Sequence, residues 1–88
     1  VKPVMTTGGK RLSVVGIIVF EREKSAVRVN EILSRFSELI IGRMGIPYRE
    51  RGISVIALIV DATTDELGAL TGQLGRVPGV KVKSAVTA

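Results

Sequence analysis

The spacing of hydrophobic and polar positions changes rhythm along the chain, and the changes mark six elements. From Arg11 to Phe20 the residues are mostly apolar and β-branched, which suits a pleated strand. Alternation divides them into two sets: Leu12, Val14, Ile18 and Phe20 on one face, Val15, Ile17 and Val19 on the other. From Lys24 to about Leu39 the rhythm becomes helical, with Val29, Ile32, Leu33, Phe36 and Ile40 forming one apolar stripe. Arg28, Asn30, Glu31, Arg35 and Glu38 fall largely on the opposite side, and Ser25 or Glu23 is expected to cap the start. Ile40–Met44 reads as a short edge strand. Pro47 cannot donate to a central sheet ladder, so a loop is expected to begin there and to end at Gly52.

Ile53–Asp61 is the second long apolar strand, in which Val55, Ala57 and Ile59 alternate with Ile56, Leu58 and Val60. Thr63-Thr64-Asp65-Glu66 has the form of a capping box, in which the Thr63 hydroxyl accepts from the first helical turn while Glu66 reaches back. The helix it opens runs to about Leu74, with Leu67, Leu70 and Leu74 inward and Val77 packing beyond its end. Gly75 is expected just past the helix, and Pro78 bars its continuation. In Val80–Val86, Val80, Val82 and Val86 alternate with Lys81, Lys83 and Ala85; lysines on one face discourage stray edge pairing.

The order strand, helix, strand, strand, helix, strand predicts an α+β, ferredoxin-like β-α-β-β-α-β sandwich: a four-stranded antiparallel sheet with two helices on one face. The first and third strands, richest in apolar residues, are expected at its centre. Residues 1–10, with Pro3, Gly8 and Gly9 and no periodicity, read as a flexible tail ahead of a single domain over residues 11–88.

A sheet covered by helices on one side only should be polar at alternate positions on the other. Neither long strand obeys this. Val15, Ile17 and Val19, or their alternates, together with Val55 and Ile59, are assigned to the open face. Five or six aliphatic side chains there are worth about 8–10 kcal/mol of burial. That rivals the net stability of a small domain. Face-to-face packing of sheets in a homo-oligomer, a dimer or a tetramer, is therefore expected.

Composition narrows the chemistry. The 88 residues include no cysteine and no histidine, so disulfides, thiolate and imidazole metal ligands and the commonest general acid–base are all missing. There is no P-loop and no Gly-x-Gly-x-x-Gly, and no serine or threonine has a histidine base. No catalytic residue, metal or cofactor is expected, and the chain does not read as an enzyme. Leu12–Phe20 is too short to cross a bilayer, and Glu-Arg-Glu-Lys follows it instead of a cleavage site. A cytoplasmic protein without a membrane segment is expected. The net charge of +5 permits an anionic ligand, an acidic partner or nucleic acid. The basic residues are scattered, with no aromatic pair on a strand, which argues against nucleic acid.

Two features point to a ligand. Arg43, Arg49 and Arg51 surround Tyr48 between Gly42 and Gly52, and guanidinium groups with an aromatic ring can hold a phosphate or carboxylate. A solvated loop with an ion pair to Glu50 is the alternative. Gly68, Gly72 and Gly75 fall on one side of the second helix, and glycine within a helix costs about 1 kcal/mol relative to alanine. Gly75 is accounted for by the helix end. Gly68 and Gly72 would admit a partner or ligand, lie beneath a loop of the same chain, or simply be tolerated there. Arg43, Tyr48, Gly68 and Gly72 are the candidate ligand residues, expected to meet at a groove between subunits.

Gly42-Arg-Met-Gly-Ile-Pro, Ile53-Ser-Val-Ile-Ala-Leu-Ile-Val and Thr63-Thr-Asp-Glu-Leu-Gly-Ala-Leu-Thr-Gly-Gln-Leu-Gly-Arg-Val-Pro-Gly-Val-Lys-Val-Lys-Ser together resemble the iron-only hydrogenase system regulator family. The resemblance runs over about residues 11–86, and the Gly-x-x-x-Gly-x-x-Gly run is its most specific part. It implies an ACT-like domain, similar also to the C-terminal domain of nickel-responsive repressors, that oligomerises and responds to a small effector. The histidines and cysteine that bind nickel in those repressors have no counterparts here. ACT domains carry a glycine after the first strand, where an amino acid binds between subunits; here the turn is Glu21-Arg22-Glu23-Lys24. The expected function is a regulatory, effector-sensing module. A purely structural protein–protein adaptor and a weak nucleic-acid-binding module are the alternatives.

Overall fold

Residues 9–88 are described by a computed structural model; the first eight residues of the expected tail lie outside the described residues. Strand β1 (Arg11–Val19) leads into helix α1 (Arg22–Arg35), a 3-10 turn (Ser37–Leu39) and strand β2 (Ile40–Tyr48). A second 3-10 turn (Arg49–Arg51) connects to strand β3 (Ile53–Ala62), helix α2 (Thr64–Gly75) and strand β4 (Val80–Val86). All pairings are antiparallel in the order β2-β3-β1-β4. The sandwich read from the sequence is the fold, with the two most apolar strands central.

Register decides which residues become core. Val15 pairs with Leu58 and Ile17 with Ile56. These four, with Val19 and Val60, are buried beneath Val29, Ile32 and Leu33 of α1 and Leu67, Leu70 and Leu74 of α2. The assignment of Val15, Ile17 and Val19 to the open face is thus corrected: they are 0–2% exposed within one protomer. The open face carries the alternate set, in which Val14 pairs with Ile59, Gly16 with Ala57 and Ile18 with Val55. Val55 and Ile59 do lie there. The sequence pattern separates two faces without saying which one the helices cover, because an alternation of apolar with apolar is symmetric.

Local chemistry accounts for the boundaries. Thr63 closes the capping box: its hydroxyl accepts from the Glu66 N–H at 3.1 Å, and the Glu66 carboxylate accepts from the Thr63 N–H at 2.9 Å. Helix α1 begins after Glu21 without a side-chain cap. Ser25 is buried instead, and its hydroxyl donates to the Pro78 carbonyl at 2.6 Å, tying α1 to the turn before β4. Strand β2 is longer than its apolar run suggests. It bulges at Ile41, between the pairs Ile40–Val60 and Gly42–Ile59, and continues through Pro47 to Tyr48. An edge strand can hold Pro47, because its missing N–H need not serve a second neighbour. Gly75 is the last residue of α2 and not its left-handed cap; the positive φ of 76° occurs at Gly79.

Candidate functional site

Small residues open a cleft between the first helix and the edge of the sheet. Along α1, Arg22, Ala26 and Asn30 recur every fourth residue and so share one side. Ala26 is too short to fill the space beneath it. Across the gap, Gly45 has no side chain on the helix-facing side of β2, and Ser54 is the partner of Val19 at the start of β3. The resulting cleft has a volume of about 250 Å³ and an apolar wall of Val19, Val29 and Ile56.

Its polar groups are cationic or neutral. Arg43 follows the bulge at Ile41, pairs with Leu58 and so stands on the helix-facing side of β2. From there its guanidinium donates to the Asn30 Oδ1 at 2.6 Å, spanning strand and helix. Arg22 lines the same cleft. Among the described residues the ion pair found is Arg28–Glu31, so no carboxylate lies within 4.0 Å of Arg22 or Arg43. Two guanidinium groups, an amide and an apolar wall are chemically suited to a small anion with an apolar part. A wider concavity of about 470 Å³ at the same end of the sheet mixes Glu21 and Glu23 with Arg22, Lys24 and Arg49, so it has no single sign of charge.

The four sequence-derived ligand residues do not converge within one chain. Tyr48 pairs with Ile53 and alternates onto the open sheet face, away from Arg43. Gly68 and Gly72 face open space: beyond the backbone of their own helix, a Cβ built on either meets no atom of the described residues within 4 Å, so no described loop covers them. Helix α2 packs along β4, the edge opposite β2, which separates the glycines from Arg43. Of the four, only Arg43 lines the cleft. Arg22, Ala26 and Asn30 were not singled out from the sequence, although their four-residue spacing was visible there. Among the described residues no three histidine, cysteine, aspartate or glutamate side chains gather where they could hold a metal. Among the described residues no helix is long and apolar enough to cross a membrane.

With this geometry in view, residues 11–84 match the TM1266-like family model, described as "Iron-only hydrogenase system regulator, putative". The chain belongs to that family. Among solved structures it is similar to the uncharacterized protein TM1266 from Thermotoga maritima, at 42% identity and a TM-score of 0.87, covering 90% of this chain and 99% of that one. The ACT domain from the GTP pyrophosphokinase of Chlorobium tepidum is similar in fold at 22% identity and a TM-score of 0.73, covering 86% of this chain and 99% of the other. The C-terminal domain of the MgtC protein from Mycobacterium tuberculosis shares the fold at 23% identity, a TM-score of 0.63 and 92% coverage of both chains. No curated protein sequence matches the chain. The TM1266-like family thus has the ACT-like arrangement that the sequence resemblance implied.

Proposed function

We propose that this chain is a non-enzymatic regulatory domain that senses a small anionic effector in the cleft between α1 and the β2 edge, and that it works as an oligomer. The strongest support is Arg43, which bridges to Asn30 at 2.6 Å beside Arg22, with no carboxylate of the described residues within 4.0 Å of either cation. An effector carboxylate or phosphate would accept from Arg22 and Arg43, while its organic part covers Val19, Val29 and Ile56. Seating it would stiffen the contact between the edge strand and α1, and so connect occupancy to any surface β2 presents. Membership of a regulator family and the ACT-like fold agree with this reading.

Oligomerisation is supported by the open sheet face. Val14, Phe20, Met44, Ile46, Tyr48 and Ile59 are each 41–62% exposed on one contiguous side of the sheet. That much clustered apolar surface favours a second copy packed face to face.

Thermal melts against a panel of amino acids, other small carboxylates and nucleotides test the effector reading. Binding to the native state alone stabilises it, by about 2.7 kcal/mol at one hundred times Kd. One class should raise the melting temperature of the wild type by several degrees and leave Arg43→Gln unmoved. If no compound in the panel shifts the wild type, or if Arg43→Gln responds equally, the cleft is not the sensor and the adaptor reading takes its place.

A further inference from the structure

A second cationic concavity lies on the opposite side of α1, between the two helices. Arg28 and Arg35 are seven residues apart and share one side of α1. Arg76 follows α2 immediately, and the Ser25–Pro78 hydrogen bond holds the turn after it against α1. These three arginines, with Gln73, Val77 and Pro78, line a groove of about 300 Å³. Arg28 has Glu31 at 3.8 Å, with both side chains more than half exposed, a pairing that solvent weakens. Arg35 and Arg76 have no carboxylate within 4.0 Å among the described residues.

Gln73, which lines the groove, also carries an unsatisfied polar atom among the described residues. Gln73 Oε1 is buried and has no hydrogen-bond partner. An acceptor in that position is destabilising unless a donor reaches it. With no bond holding Oε1, the amide can turn to present either its oxygen or its NH₂ group to a ligand.

We propose that this groove binds a small phosphate ester, its phosphate held by Arg28, Arg35 and Arg76 and its hydroxyl-bearing part by Gln73. Three planar guanidinium forks, two of them two turns apart on α1 and one just past the end of α2, can each donate to an oxygen of a tetrahedral phosphate, which offers one more acceptor than a carboxylate. Once the Gln73 amide turns into the groove, a hydroxyl on the ester supplies the donor that Oε1 lacks, and the groove is larger than a bare phosphate needs. This site is independent of the Arg43 cleft, which lies on the other side of α1.

The test is a heteronuclear NMR titration of the full chain with glycerol 3-phosphate at constant ionic strength. Saturable shifts at Arg28, Arg35, Gln73 and Arg76 are expected, including the Gln73 side-chain amide. Arg35→Gln/Arg76→Gln should weaken binding at least tenfold with an unchanged far-ultraviolet spectrum, while Arg11→Gln, outside both clefts, should leave it as in the wild type. Equal affinity in the double variant would overturn the proposal. So would shifts spread over all the basic residues without saturation. If duplex DNA perturbs the groove and glycerol 3-phosphate does not, the arginines serve a nucleic-acid surface and the proposal fails.

Discussion

Gly16 of β1 stands directly opposite Ala57 of β3 in the middle of the open sheet face. Their neighbours along the two strands are Val14, Ile18, Val55 and Ile59, so the smallest side chains form a shallow dip with an aliphatic rim. Nothing among the described residues demands a glycine there: a Cβ on Gly16 would come no closer to them than 4.0 Å, to the Lys83 carbonyl. Glycine inside a strand weakens it and often marks close approach by another backbone. Lys81 and Lys83 border the same face along β4, and the Lys81 ammonium lies 6.0 Å from the centre of the Phe20 ring.

Two adjacent substitutions should therefore have opposite consequences. Ile18→Glu places a charge on the open face, and light scattering should report a smaller particle with its helical and strand content intact. Ile17→Glu buries an unpaired carboxylate at a position with no exposure, and circular dichroism should report an unfolded chain. An Ile18→Glu protein with the wild-type mass would remove the open face as the site of association.

The glycines separate in the same way. Gly68→Ala and Gly72→Ala fill open space on α2 and should each raise stability by about 0.5–1 kcal/mol in urea melts, since alanine is the better helix former. Gly79→Ala should instead cost about 1–2 kcal/mol. Its φ is 76°, and the new Cβ would sit 2.9–3.1 Å from Oε2, Cγ and Cβ of Glu21. Loss of stability in the Gly68→Ala protein would mean that a partner surface reaches that side of α2.

The capping box predicts an acid-dependent loss of stability. The Glu66 carboxyl is held below its ordinary value of 4.5, chiefly by accepting the Thr63 backbone N–H, with help from the Thr63 hydroxyl and Lys10. A carboxyl whose pKa is lowered by folding stabilises above its unfolded value and loses that contribution as pH falls through the folded one. Melts from about pH 6 down to about pH 3 should show a shallower decline for Glu66→Gln than for the wild type. Thr63→Ala should cost about 1 kcal/mol at neutral pH. Parallel pH profiles for Glu66→Gln and wild type would contradict the cap's contribution.

How much could be read in advance depended on the range of each interaction. The Thr63–Glu66 cap spans four consecutive residues, so the sequence displayed it whole. The length of β2 beyond Met44 was hidden because Gly45 and Pro47 carry no strand rhythm; pairing with β3 extends the strand to Tyr48. Arg43 was visible as a cation, but Asn30, thirteen residues earlier, became its partner only when β2 took its place on the far side of β3. Ser25 looked like a cap because of its position near a helix start. Its bond to Pro78, fifty-three residues away, had no local sign.

The sequence by itself determined the six elements, their order, the central position of β1 and β3 and the presence of two apolar sheet faces. All of these follow from periodicity and turn chemistry over a few residues. Tertiary structure alone decided that Val15, Ile17 and Val19 are core while Val14, Ile18, Val55 and Ile59 stay open, and that Arg22, Asn30 and Arg43 share one cleft. The reason is symmetry: a period of two labels the faces without ranking them, and the handedness of the strand–helix–strand crossovers chooses the one the helices cover.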